Sequence, residues 1–172
     1  MKRFLFSGLI IIGMYACRDA KRSAIEVYIA PGKEWLDSLH KASDTTFSKR
    51  YGGTEFYTTE YNVNRKAGIL TQIMLDSTGN ITQVIAMKDR KRILFGEYYR
   101  NGQMKSRLLL DTTGQFNGLA KYYYEDGRIR KEGSYKSGLF SGSWNNYDKN
   151  GFLTTIEKYG SNGELLTMEK AR

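Results

Sequence analysis

The chain has 172 residues, a formal charge of +9 from 27 Lys and Arg against 18 Asp and Glu, and 13% aromatic residues, among them 13 Tyr. One cysteine excludes an internal disulfide, and one cysteine with one histidine excludes a zinc site of the Cys/His type. The length fits one domain, and the single proline, Pro31, agrees with a chain of paired strands, whose ladders exclude proline.

At the start, Lys2 and Arg3 precede a 13-residue uncharged run, Phe4 to Ala16, which ends at Cys17. A spanning helix needs about 20 apolar residues, so this run reads as the core of an export signal. Its end resembles the lipobox of bacterial lipoproteins. Ala16 fits that pattern, while Met14 and Tyr15 stand where Leu and a small residue are usual. The resemblance implies that Cys17 is diacylated and becomes the mature N-terminus, a membrane anchor in which each buried methylene contributes about 0.8 kcal/mol. Loss of residues 1–16 removes Lys2 and Arg3 and no acid, lowering the formal charge from +9 to +7. Arg18 and Asp19 form no acidic cluster after the cysteine. The expectation is therefore a bacterial cell-envelope protein, lipid-anchored at the outer membrane and facing the periplasm.

Residues 18–50 read as a tether and a short helix. Arg18 to Ser23 is charged and small, and Ile25 to Ala30 has the composition of a short strand. After Pro31-Gly32, the segment KEWLDSLHKA sets Trp35, Leu36 and Leu39 on one side of a helix of two or three turns. So short a helix is not stable alone, and it is expected to cap the first strands. From Tyr51 the chain turns to strands, Thr54 to Tyr61 and then Ile69 to Leu75. Residues 51–172 form the predicted β-repeat domain, its repeats clearest from about 71 to 166.

The repeat shows in four glycines, Gly79, Gly102, Gly127 and Gly151, separated by 23, 25 and 24 residues. Four positions before them stand Leu75, Tyr98, Tyr123 and Tyr147; two after stand Ile81, Met104, Ile129 and Leu153; eight after stand Met87, Leu110, Tyr135 and Tyr159. A second series, Gly114, Gly138 and Gly163, falls between them. Asn-Gly and Asp-Gly steps at Asn101, Asp126, Asn150 and Asn162 mark hairpins. Alternation puts Ile129, Lys131, Gly133 and Tyr135 on one face and Arg128, Arg130 and Glu132 on the other. The predicted fold is mainly β: an antiparallel β-meander of two-stranded repeats, about 24 residues each, with one short N-terminal helix.

Gly118-x-x-x-x-Tyr123-x-x-x-Gly127, the run EGSYKSGLFSGSW and Gly142-Ser-Trp144-x-x-Tyr147-Asp-x-Asn150-Gly151 resemble MORN-variant repeats. The likeness is good over about 93–165 and weaker over 71–92; in the two earlier units Ile93 and Leu70 stand at the positions corresponding to Gly118 and Gly142. Such repeats occur in secreted and lipid-anchored bacterial proteins and in a family labelled as antitoxins. The resemblance implies a MORN-like meander with a binding or scaffolding role, and it brings no shared catalytic residues.

The chemistry sought is sparse. His40 lies on the short helix beside Leu39 and Lys41, GLFSG lacks the Lys and Ser/Thr of a phosphate loop, and the acids Asp111, Glu125, Asp126 and Asp148 all sit in turns. No catalytic residue, metal or cofactor is expected. The aromatic residues admit two readings, a contact platform or cross-strand ladders. As a contact face the candidates are Tyr98, Tyr122, Tyr124, Trp144, Arg128 and Arg130. Lys88, Arg90, Lys91 and Arg92 form a basic turn; export argues against nucleic acid and leaves anionic lipid, lipopolysaccharide or acidic proteins as partners. The reading is a lipid-anchored, non-catalytic module that binds or scaffolds a protein partner. The alternatives are an antitoxin or immunity protein, and a module binding anionic membrane surfaces.

Overall fold

The computed structural model describes residues 35–51 and 57–171. Cys17, the signal, the tether and the expected strand Ile25 to Ala30 lie outside them. Among the described residues one helix, α1 (Trp35–Ala42), precedes eleven strands. These are β1 (Thr45–Tyr51), β2 (Tyr57–Asn64), β3 (Ile69–Leu75), β4 (Ile81–Lys88), β5 (Lys91–Tyr98), β6 (Met104–Leu110), β7 (Phe116–Tyr123), β8 (Ile129–Lys136), β9 (Leu139–Tyr147), β10 (Leu153–Tyr159) and β11 (Leu165–Lys170). They form a single sheet in sequence order with antiparallel neighbours, the predicted meander.

The repeat glycines close the turns at one end of the sheet. Gly79, Gly102, Gly127 and Gly151 have φ of 84°, 82°, 86° and 90°, a region that costs other residues strain. Oδ1 of Asp76 accepts the N–H groups of Thr78 and Asn80, and Oδ1 of Asp148 accepts those of Asn150 and Phe152. After each of these turns the ladder skips one residue. Leu75 pairs with Ile81 but Met74 with Gln83, so Thr82 is left over; Lys105, Arg130 and Thr154 are left over in the same way. These are β-bulges, and each turns the next side chain onto the other face. Leu75 thereby meets Ile81, Tyr98 meets Met104, and Tyr123 meets Ile129, all within one apolar cluster.

That cluster lies under α1. Trp35 and Leu39 are buried against Ile69, Ile73, Val84, Leu94 and Tyr98, and the Trp35 ring stacks on Tyr98 at 6.2 Å. Burying a side chain such as Leu39 is worth roughly 1.5–3 kcal/mol, which an isolated eight-residue helix could not recover. The Asn64 amide donates to the Ala42 carbonyl (2.6 Å) and the Ser43 hydroxyl to that of Leu39 (2.7 Å), satisfying the helix C-terminus.

Two expectations change. The sheet begins at Thr45, inside the segment expected to hold only tether and helix. TTFSKRY is an edge strand exposed over most of its length, so it lacks the apolar alternation that marks a strand. Ile129 does not share a face with Lys131, Gly133 and Tyr135, because the bulge at Arg130 moves it under the helix-side cluster.

On the opposite face Trp144 is fully buried without any covering layer, because its ring lies flat across β8. A Cβ on Gly133 would stand 2.2 Å from Trp144 Cδ2, where no side chain fits. Gly133→Ala should therefore destabilise the protein by overpacking, by about 1–3 kcal/mol. Urea unfolding of the two proteins measures this, and equal midpoints would show that the ring does not depend on Gly133.

Candidate functional site

The face away from α1 carries a continuous run of rings. Phe95 and Phe116 are 6.5 Å apart, Phe116 and Tyr135 5.6 Å, Tyr135 and Phe140 5.0 Å, and Phe140 and Tyr159 4.9 Å. Trp144 meets Tyr135 and Phe140 edge-on at 5.1 and 4.7 Å, and Tyr122 leans on it at 6.3 Å. These rings come from alternate positions of β5 and β7–β10, including the repeat positions eight residues after Gly127 and Gly151. Leu108 and Ala120 lie beneath them. Among the described residues no element covers this layer.

Polar groups are threaded through it. Lys131 Nζ bonds Glu157 Oε2 at 2.8 Å and stands over the Phe140 and Trp144 rings at 5.1 and 5.2 Å. The Tyr159 hydroxyl donates to the same carboxylate (2.8 Å), and the Tyr122 and Tyr135 hydroxyls share a hydrogen bond of 2.9 Å. The Lys131 hydrogen bond holds the Glu157 carboxyl below its ordinary range. Burial, then the Glu157 bond, pushes the Tyr159 phenol up to about 12, and burial also raises Tyr122. The Tyr122 and Tyr159 phenols therefore stay neutral near neutral pH.

The six residues expected to form one contact face are dispersed. Tyr98 is buried beneath Trp35 on the helix side. Tyr124 begins a turn and donates its hydroxyl to the Tyr147 carbonyl of the next repeat (2.7 Å). Arg128 lies in the same turn, bonded to the Lys149 carbonyl and 3.8 Å from Asp126. Only Tyr122, Trp144 and Arg130 gather on the ring-bearing face, with the Arg130 guanidinium 6.0 Å from the Tyr122 ring centre. Phe95, Phe116, Tyr135, Phe140 and Tyr159 complete that face and were not expected there as a group. Their common parity was readable only once the bulges were placed.

Tyr99 repeats the role of Tyr124, donating to the Tyr123 carbonyl at 2.9 Å, and the Asn101 amide reaches the Glu125 carbonyl at 2.7 Å. Turn tyrosines thus tie each repeat to the next. The turn acids serve the turns as well. Thr113, chiefly through its hydroxyl, holds the Asp111 carboxyl at about 2. Asp111 and Asp148 close turns at opposite ends of the sheet and cannot act together. His40 bonds Glu60 at 2.8 Å beside a cleft of about 230 Å³ floored by Ile73, Leu75 and Ile81.

Lys88, Arg90, Lys91 and Arg92 are exposed on the β4–β5 hairpin, whose loop residues Asp89 and Arg90 have φ of 49° and 63°. The β2–β3 turn, with Arg65 and Lys66, lies beside it: Asp89 Oδ1 is 3.8 Å from where a Gly68 Cβ would stand. Two turns thus make one cationic end. Among the described residues no group of three His, Cys, Asp or Glu could hold a metal, and no helix is long and apolar enough to cross a membrane.

Because Glu157 is more acidic folded than unfolded, its contribution is complete above the ordinary glutamate range and is lost as pH falls through the folded value. Glu157→Gln should cost on the order of 1 kcal/mol at neutral pH, and the two proteins should converge in acid. Unfolding midpoints from pH 7 to 3 measure the difference; curves that stay parallel would count against the pair.

No family model matches the chain, and no curated protein matches it. Among solved structures it is similar to accessory secretory protein 1, 2 and 3 of Streptococcus pneumoniae, at 14% identity over 49% of this chain and 17% of that one, TM-score 0.36. It is also similar to the GtfA/B complex bound to UDP and GlcNAc (20%, 52% of this chain and 22% of that one, 0.33) and to TarM (8%, 72% and 27%, 0.38). The chain spans 17% to 27% of the length of those structures, and at these TM-scores the likeness bears on no functional reading.

Proposed function

We propose that the protein is a lipid-anchored, non-catalytic component of the bacterial cell envelope whose MORN-like sheet binds or scaffolds a protein partner. The observation that supports this most is the ring layer of β5 and β7–β10, which no element among the described residues covers. Rings there are held in place by one another and by the Lys131–Glu157 pair. Such a surface offers large rigid area with polar tips, the composition enriched in protein contacts. Cys17, acylated, would keep it at the membrane, with the tether setting its reach.

Photo-crosslinking tests this with a benzophenone amino acid at Phe140 or Tyr159, and at Lys158 on the reverse face, in cells making the full chain. A discrete protein adduct from the first two positions and none from the third is expected, with Cys17→Ala releasing the protein from the membrane fraction. Equal adducts from both faces, or wild-type protein recovered in the cytosol, would overturn the reading.

The cationic end favours a second reading, binding of an anionic membrane surface. Lys66, Lys88, Arg90, Lys91 and Arg92 are exposed and form no ion pair among the described residues. Each basic group near such a surface contributes about 1 kcal/mol. On that reading Cys17→Ala protein still sediments with anionic vesicles and is released by salt, while Lys91→Glu with Arg92→Glu abolishes sedimentation. No difference between anionic and neutral vesicles would exclude it.

A further inference from the structure

The cleft beside α1 lies where the first repeat is short of a ring. The position four before the repeat glycine holds Tyr98 and Tyr123 in the next two repeats, and both bury their rings in the helix-side cluster. The first repeat has Leu75 there instead, in the same pairing: Leu75 meets Ile81 as Tyr98 meets Met104 and Tyr123 meets Ile129. Leu75 also lines the cleft, together with Leu36, Ile73 and Ile81. Gly79 adds open space, since a Cβ there would meet nothing within 4 Å. An apolar cavity of about 150 Å³ holds a benzene ring, so the 230 Å³ of this cleft accommodates a ring with a short side chain.

The polar groups of the cleft select the charge of what it holds. The chain has 27 Lys and Arg, yet none of the described residues lining the cleft is basic except His40, and Glu60 is its one acid. Oε1 of Glu60 bonds the His40 ring nitrogen (2.8 Å) and accepts the Asn62 amide (2.7 Å), while Thr46 orients that amide by donating to its oxygen (2.9 Å). Oε2 of Glu60 has no bond among the described residues, and the side chain is 20% exposed. One carboxylate oxygen is thus fixed in place, half withdrawn from water, and unused. We propose that the cleft is a binding site for a small arylalkylamine, its ring against Ile73, Leu75 and Ile81 and its ammonium on Glu60. A mostly apolar wall with a few fixed polar groups is the usual form of a small-molecule site, and a hydrogen bond between charged groups is roughly twice as strong as a neutral one. An anionic ligand would meet the Glu60 charge and is rejected. The site is on the helix side of the sheet, so its occupation leaves the ring layer free.

The test is isoleucine-methyl NMR of the purified full chain, titrated at about pH 8, above the ordinary imidazole range. Phenethylammonium should shift the Ile73 and Ile81 signals saturably. Phenethyl alcohol should bind roughly tenfold more weakly for want of the charged hydrogen bond. Phenylpropionate and the open-chain hexylammonium should not compete. Glu60→Gln keeps an oxygen for His40 and Asn62 but removes the charge, so it should bring phenethylammonium down to the affinity of the alcohol. Leu75→Tyr restores the residue of the later repeats and fills the cleft. It should abolish both titrations while the unfolding midpoint does not fall. The proposal is overturned if no saturable shift appears at Ile73 and Ile81, if the ammonium and the alcohol bind alike, or if Glu60→Gln leaves their ratio unchanged. It is equally overturned if hexylammonium binds as well as phenethylammonium, or if folded Leu75→Tyr protein still binds.

Discussion

The structure depends on the one-residue slip that follows each glycine turn. Without the bulge at Thr82, Lys105, Arg130 and Thr154, the side chains two residues past the glycines would face away from those four residues before them. Ile81, Met104 and Ile129 would then lie on the ring-bearing face, and Leu75, Tyr98 and Tyr123 would lose their cross-strand partners. Those pairs join Ile69, Ile73, Val84 and Leu94 in the cluster under α1, so the slip brings the turn end of each hairpin into the surface that the helix side buries. The glycine is needed for the φ of the turn, and the slip decides which face the next strand shows.

The slip also explains how much of the molecule was legible in advance. Glycine spacing and Asn-Gly steps are local signals, and they placed the strands, the turns and the meander. Trp35, Leu36 and Leu39 likewise marked the helix. Assignment of faces was not local. Parity counted along β8 puts Ile129 with Lys131, and only the pairing with β7 reveals the skipped Arg130. The same difficulty affected neighbouring tyrosines, which look alike in sequence and do different things. Tyr122 joins the ring layer, Tyr123 is buried under the helix-side cluster, and Tyr124 bonds the next turn. β1 was missed because an edge strand with both faces wet has no hydrophobic period.

The two halves of the sheet are finished differently. Under α1, β3–β6 bury apolar side chains in one cluster with Trp35 and Leu39, and the His40–Glu60–Asn62 hydrogen bonds bind the helix to β2. Beyond β7 the helix-side face is polar, with Lys121, Glu132, Ser134, Ser143 and Asn145 around a shallow depression. There the apolar packing passes to the opposite face, in the ring layer. A single-layer sheet can change its packed face along its length because each pair of neighbouring strands needs only one side buried to be stabilised.

That exchange bears on what the ring layer can do. Rings on an open sheet face would ordinarily sample several rotamers, and a partner would have to order them at a cost in side-chain entropy. Here Trp144 is set against Gly133, where even a methyl group would not fit, and Phe140 is held between Trp144, Tyr135, Tyr159 and the Lys131 ammonium. The hydroxyls of Tyr122, Tyr135 and Tyr159 are each bonded within the layer. The surface is therefore already organised, and a partner binding there would spend little free energy on ordering it. A partner matched to it would gain from shape and from the polar tips at its margins. The packing that stabilises the C-terminal half of the sheet is, on this view, the same packing that prepares its open face for contact.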